Sequence, residues 1–346
     1  MAYYKILNIL PACLVLLLMS YSASAQSLPA LPQKIPASGD TTRKDTNQVR
    51  PNAGNWTLIP IRETPCLSCN GRKWAVAGGH LAIWGASFYT LNKAWYKDYP
   101  KSDFHFFNDN AEWLQMDKLG HLWTAYQMSR VSGVAWQWAG FTRQQAAWLG
   151  GLSGVAYQSI IEIQDGFSAE WGFSWGDMTA NMAGSALYTV QELLGGDHKI
   201  QVKLSYSPYT YSDDMKARRD AFFGKSVQER ILKDYNSQTY WLSANLRSFI
   251  PASGLPKWLN VSVGYSGKGM LGGMDNTWTD KEGMEHDRSD IRRTRHFYLS
   301  ADVDLTKIRT NNKILRTVFY VLNAVKIPAP TLELSQGKLR GHWLYF

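Results

Sequence analysis

The stretch KIQVKLSYSPYTY, Lys199–Tyr211, is where the chain changes its period. Ile200, Val202, Leu204 and Tyr206 fall at every second position, with polar residues between them. That alternation suits a strand with one apolar and one polar face. Upstream, apolar residues run with helical spacing; downstream, they keep alternating. The chain is therefore expected to be α+β: an N-terminal four-helix, mostly apolar bundle over residues 74–196, then an antiparallel β region over 197–346.

Downstream of the switch, TYWLSANLRSFI alternates Tyr240, Leu242, Ala244 and Leu246. KWLNVSVGYSG alternates Leu259, Val261, Val263 and Tyr265, and HFYLSADVDL alternates Phe297, Leu299, Ala301, Val303 and Leu305. TLELS and LRGHWLYF add two more strands. Polar insertions separate them: 212–238, which could hold a short helix, and 272–294, which reads as a mobile loop. Amphipathic strands, long polar loops and an aromatic last residue, Phe346, are features of outer-membrane barrels. About six strands are counted, whereas such barrels start at about eight. A sheet packed on the helices, or a partial or small barrel, accounts for the same pattern.

Upstream, four helical stretches are expected, starting WAVAGGHL, DKLGHLWT, TRQQAAWL and WGDMTANM. Thr142 with Gln145 fits a capping box, Ser174 with Asp177 fits another, and Gly195-Gly196 stops the fourth helix. The helices are nearly apolar all round and dotted with Gly, Ala and Ser, which lets backbones approach closely. A bundle that touches or dips into a membrane suits them better than four conventional spans.

The first 25 residues have a short basic start, an apolar run and Ala23-Ser24-Ala25, as in a cleaved secretory signal peptide. Residues 26–73 read as a linker rich in Pro and polar residues. It carries CLSC, and in an exported protein Cys66 and Cys69 are expected to form a local disulfide. Haem attachment would need a histidine where Asn70 stands. A net charge of +9 and 15 tryptophans suit a lipid surface or an envelope protein as partner. The basic residues are scattered among acids, which argues against nucleic acid. Dinucleotide, P-loop and nucleophile-elbow fingerprints are absent from the sequence.

The candidate site lies in three motifs. In DKLGH, Asp117 and His121 stand one helical turn apart, with Lys118 beside them. In EIQD, Glu162 and Asp165 share a face; in WGDMTANMAG, Asp177 and Asn181 do. These donors suit a divalent metal, with His121, Asp117, Glu162 and Asp177 as candidate ligands. They equally suit a general acid/base pair. Plain structural roles compete: Asp117 as an N-cap, Asp177 in a capping box, Asn181 bonding across a close helix contact beside Gly184, His121 as a satisfied core histidine. Glu162 and Asp165 resist that account. They repel each other near the negative end of a helix, where each carboxylate loses about 0.3–1 kcal/mol. Something positive must compensate.

These three motifs, with the aromatic Tyr126, resemble the YfiM-like family of predicted periplasmic lipoproteins, a domain of unknown function. A fainter likeness runs to VanZ-like membrane proteins. The resemblance covers roughly residues 110–195 and implies a helical envelope protein of the periplasm or outer membrane, with the acid, His and Asn positions as its signature. No reaction comes with it. The chain departs from the pattern in lacking a convincing lipid-bearing cysteine and in carrying the β-rich half, which favours attachment through the β part. The expected function is a membrane-associated structural or binding module, its cluster fixing helix packing or holding an anionic head group. The alternative is a metal-assisted or acid/base hydrolase acting on lipid or cell-wall material. There His121 and Asp177 would be ligands or acid/base groups, Glu162 and Asp165 would complete the site, and Asn181 would orient it.

Overall fold

Helices α1 (Asn70–Leu91), α2 (Met116–Trp138), α3 (Arg143–Gly166) and α4 (Trp175–Leu193) occupy the four stretches whose apolar spacing is helical. In this computed structural model the described residues are 58–59, 61–96, 100–280 and 282–346, the side chains of 94 and 95 excepted. The expected signal peptide, residues 1–25, and most of the expected linker, 26–73, lie outside the described residues. Cys66 and Cys69 are joined by a disulfide just before α1, and Cys66 N–H donates to Gly140 O at the end of α2.

Thr142 caps α3 in a reciprocal box with Gln145, and Ser174 accepts from Asp177 N–H at the start of α4. Gly195 and Gly196 both take positive φ where α4 ends. Helices α2, α3 and α4 pack through small residues. A Cβ on Gly184 would lie 2.2 Å from Leu122 O, and one on Gly154 would lie 2.3 Å from Ser129 Oγ. α1 is held more loosely, by His80 Nε2 at 2.9 Å from Ser132 Oγ and by Tyr157 O–H donating to Ser87. Among the described residues, no helix is long and apolar enough to cross a membrane.

The β half is one antiparallel sheet of six strands plus a two-stranded hairpin. The sheet runs β1 (Ile200–Tyr206), β2 (Gln238–Asn245), β3 (Leu259–Lys268), β6 (Thr294–Val303), β7 (Ala329–Ser335), β8 (Lys338–Tyr345), in that order. The hairpin, β4 (Thr277–Thr279) with β5 (Glu285–Asp287), occupies the insertion read from sequence as a loop. Two short helices, α5 (Lys216–Phe222) and α6 (Val227–Lys233), fill the first insertion. A one-turn helix α7 (Leu246–Phe249) follows β2, and α8 (Lys313–Leu322) lies between β6 and β7.

The sheet is open but strongly curled. Neighbouring strands sit about 4.8 Å apart, so a flat sheet would separate β1 from β6 by roughly 14 Å. Yet Lys203 on β1 reaches Asp302 on β6 at 2.7 Å. Tyr345 on β8 likewise reaches Thr239 on β2 at 3.2 Å and Tyr298 on β6 at 2.9 Å.

The concave side is polar. Ser205, Ser243, Asn260, Ser262, Ser300 and Thr331 are buried there, around Trp241, Tyr298 and Tyr345. The convex side is apolar. Over β1 and β2 the helices cover it: Val202 packs with Tyr126 and Tyr188, and Tyr240 with Met116. Beyond β2 the outward side chains Val263, Phe297, Leu299, Leu332 and Leu334 are about half exposed. The bundle shows the same inversion. Ser129, Ser132, Ser185 and Thr189 are buried, while Trp148, Leu152, Trp175 and Val190 are exposed.

Candidate functional site

The chain enters α2 through an unusual turn. Trp113, Leu114 and Gln115 all take positive φ (50°, 51° and 65°), a conformation costing non-glycine residues on the order of 1 kcal/mol each. The β half holds the turn in place. Trp113 N–H donates to Gly273 O at 2.8 Å, Tyr265 O–H donates to Leu114 O at 2.6 Å, and Arg295 donates to the Gln115 side chain at 3.1 Å. Gln115, not Asp117, is the residue before the first helical position. The N-cap role considered for Asp117 is therefore not the one it plays. Its carboxylate is free to meet other groups and accepts from Tyr235 O–H at 2.6 Å.

All three motifs converge on His121. Its Nδ1 lies 3.1 Å from Asn181 Oδ1, 3.3 Å from Gln158 Nε2 and 3.4 Å from Glu162 Oε1. Its Nε2 lies 3.8 Å from Asp117 Oδ1 and 3.9 Å from Asp177 Oδ1. Lys118 Nζ sits 2.7 Å from Asp109, 2.8 Å from Asp177 and 3.4 Å from Asp117. Asp165 is one step removed and accepts from Tyr96 O–H at 2.5 Å. The donor atoms of Asp117, His121 and Asp177 all lie within 4.8 Å of one another, close enough to share one metal ion.

Five carboxyl groups thus gather around one ammonium and one imidazole. Burial, opposed by His121 and reinforced by Asp177 and Asp165, pushes Glu162 up to about 8. Burial, with Asp117 and Asp109 near by, pushes Asp177 up to about 9. Burial raises Asp165 to about 6 despite the Tyr96 hydroxyl. For Asp117, burial is outweighed by His121, Lys118 and Tyr235, which hold it below the usual carboxylate range. Asp109 is also held low: its bonds to Asp177, Lys118 and Ser174 outweigh burial. Burial works against Lys118, but the surrounding aspartates raise it above the usual lysine value.

Several buried polar atoms here have no hydrogen-bond partner: Glu162 Oε1, Gln158 Oε1 and Asn181 Nδ2. Asp177 Oδ1 is close to Lys118 but poorly aligned for a hydrogen bond. Glu162, Gln158, Asn181 and Asp177 are each at most 4% exposed. An unpaired buried polar group costs about 1–3 kcal/mol. A seam serving only helix packing would not leave several in one place.

Sequence reasoning missed Asp109, Gln158, Tyr96 and Tyr235. Gln158 stands one turn before Glu162 on α3, so the 3.6-residue period could have found it. Asp109 comes from an irregular segment that no periodicity places, Tyr96 from a π-helical turn after α1 (Asn92–Tyr96) and Tyr235 from a single 3-10 turn (Tyr235–Ser237).

Residues 103–192 match the family model of a predicted periplasmic lipoprotein, DUF2279. The match covers about a quarter of the chain. It spans α2, α3, α4 and Asp109, and so all seven residues singled out from the motifs. It agrees with an exported protein of the periplasm or outer membrane and assigns no activity. No curated protein and no solved structure matches the chain.

Proposed function

We infer that this is an exported cell-envelope protein, membrane-associated and seated at the outer membrane, whose helical cluster binds a divalent cation. YfiM-like proteins are its proposed relatives, with VanZ-like proteins more distant. The observation that carries the cation is the convergence of Asp117, His121 and Asp177, whose donor atoms lie within 4.8 Å of one another amid surplus buried carboxylates. Asp117, His121 and Asp177 would be the first ligands. Glu162 Oε1, on the Nδ1 side of the ring, would orient His121 so that Nε2 meets the ion. Lys118 stays bonded to Asp109 and balances the carboxylates the ion leaves over. Such a site ties α2, α3 and α4 together.

The test is elemental mass spectrometry on the purified full chain, beside His121→Ala and Glu162→Ala. One bound divalent ion in the parent and none in either variant, with helical circular dichroism kept, supports the reading. No ion in any sample, with both variants merely less stable, returns the cluster to helix packing.

A second reading, hydrolysis of a lipid or cell-wall bond, is favoured by the carboxyl of Glu162, raised to about 8, beside His121. Glu162 could hold or release a proton near neutral pH within reach of the imidazole. Turnover of envelope lipid or peptidoglycan fragments by the parent, lost in Glu162→Gln with the fold and the ion retained, would move the assignment to that reading.

A further inference from the structure

The outward face of the sheet inverts the polarity of a water-soluble protein. Along β3, the buried positions are Asn260, Ser262, Gly264 and Ser266, while Val261 and Val263 face out. Along β6, the buried positions are His296, Tyr298, Ser300 and Asp302, while Phe297, Leu299 and Ala301 face out. β7 repeats this, with Thr331 and Glu333 in, Leu332 and Leu334 out. The period is two, so one register fixes both faces at once. Lys203 pairs with Asp302 on the inward side and Glu333 with His296 and His342, while buried Lys326 lies over the Trp241 ring. The outward band between the strand ends carries no charge at all. Contiguous apolar patches of this kind mark interaction surfaces.

Charge identifies what covers it. Beyond one end of the strands stand exposed Lys199, Arg309 and Lys313; beyond the other, exposed Arg292, Arg295 and Lys338 are mixed with exposed Asp275, Glu282, Glu285, Asp287 and Asp290. An uncharged band with a basic rim at one end, Lys199, Arg309 and Lys313, complements acyl chains below anionic head groups. A shallow groove of about 500 Å³ crosses the band, walled by Val261, Leu299, Ala301, Pro330, Leu332 and Trp343. Its shape and lining suit an acyl chain. Trp343, 88% exposed, is placed as an amphipathic ring at a lipid boundary would be.

We propose that the convex face of β3, β6, β7 and β8 is a lipid-contacting surface, docked against an anionic phospholipid membrane with acyl chains on Val263, Leu299 and Leu332. This rests on the membrane association proposed above, names the surface responsible, and does not depend on the cation.

The experiment uses the full chain with Cys13→Ser, in which Cys66 and Cys69 remain joined. A bimane label is placed at Val263→Cys, Leu299→Cys or, as reference, Glu282→Cys in the exposed hairpin turn. Helical circular dichroism checks each fold. The labelled protein is mixed with phosphatidylethanolamine–phosphatidylglycerol vesicles. Flotation, quenching by nitroxide-bearing lipid and quenching by aqueous iodide are then read. The expected result is flotation, with lipid quenching at 263 and 299 severalfold above that at 282, and iodide quenching in the reverse order. Flotation with 263 and 299 open to iodide overturns the proposed surface but leaves membrane association standing. Failure to float overturns both. Labels shielded from both quenchers in a two-chain particle overturn the lipid assignment and give the face to a second copy.

Discussion

Lys203→Met tests whether the concave side of the sheet is as dry as its geometry requires. Lys203 and Asp302 form an ion pair at 2.7 Å, with both side chains 0% exposed. Lys203 also donates to Val303 O at 2.8 Å. Removing the ammonium leaves Asp302 with two neutral donors, Ser243 O–H at 2.7 Å and Ile327 N–H at 3.2 Å. Breaking a buried pair from one side typically costs about 3–5 kcal/mol. Lys326 is near enough to act on Asp302 electrostatically, so the lower figure, about 3 kcal/mol, is expected here. Asp302→Asn strands the lysine and should cost a similar amount. Lys203→Met with Asp302→Asn should cost less than the two singles combined, with a coupling of about 2 kcal/mol. Urea unfolding in detergent, followed by circular dichroism and tryptophan fluorescence, measures the cycle. A single-variant loss below about 1 kcal/mol, with coupling near zero, would mean that water reaches the pair as at a surface. The inverted polarity of the sheet would then lose its physical basis.

Three further outcomes follow from other parts of the molecule. A divalent ion at a hundred times its dissociation constant should stabilise the parent by about 2.7 kcal/mol, and Glu162→Gln or His121→Ala should remove most of that gain in a thermal-shift titration. Lys326 is 2% exposed and lies 4.6 Å from the centre of the Trp241 ring; burial lowers its pKa from the ordinary 10.5 to about 8. The unfolded chain therefore binds the extra proton between these values, so stability should rise with pH from about 8 to 10.5, and Lys326→Met should abolish that rise in denaturant titrations run across the window. Gly184→Ala would place its methyl 2.2 Å from Leu122 O, forcing α2 and α4 apart at a cost of about 1–3 kcal/mol in the same unfolding assay.

Much of the fold was legible because its periods are unbroken. The alternation in Leu259–Tyr265 and Phe297–Leu305 needs no tertiary help to be seen. The capping box at Thr142 and Gln145 is a local device, and it appears as read. Which face is buried was not legible, since alternation alone is symmetric. The usual assumption puts the apolar side inward, and here it is the polar side that is enclosed. The hairpin β4–β5 was read as a loop because strands of three residues give too short a pattern. α8 went unread because NKILRTVFYVLN is rich in β-branched and aromatic residues that favour strands locally. Its Asn312 cap and its packing decide otherwise: Tyr320 lies under Arg130 at 4.4 Å. At the site, helical spacing placed Asp117, His121, Glu162, Asp177 and Asn181 on facing surfaces. It could not show that Lys118 would turn toward Asp109, a residue from a segment without periodicity.

The cluster is not a property of the helices alone. Residues 103–192 supply the carboxylates and the imidazole, but Tyr235, from beyond that span, holds Asp117 at 2.6 Å. Tyr265, Gly273 and Arg295 hold the left-handed turn before it. Three consecutive non-glycine residues would leave that conformation if released, because each relaxes by on the order of 1 kcal/mol. Met116 and Asp117 would then shift along the start of α2, carrying one of the three candidate ligands away from His121 and Asp177. The β half therefore does two things with two parts of one convex face. Beyond β2 it is exposed to meet another surface, while over β1 and β2 it packs against the helices that carry the site. Two short hydrogen bonds join the β half to this entrance, from Tyr265 on β3 to Leu114 O and from Tyr235 to Asp117. The polar cluster and the sheet consequently answer to the same contacts, and a variant that frees the turn, such as Tyr265→Phe, would loosen the cluster without touching any of its members.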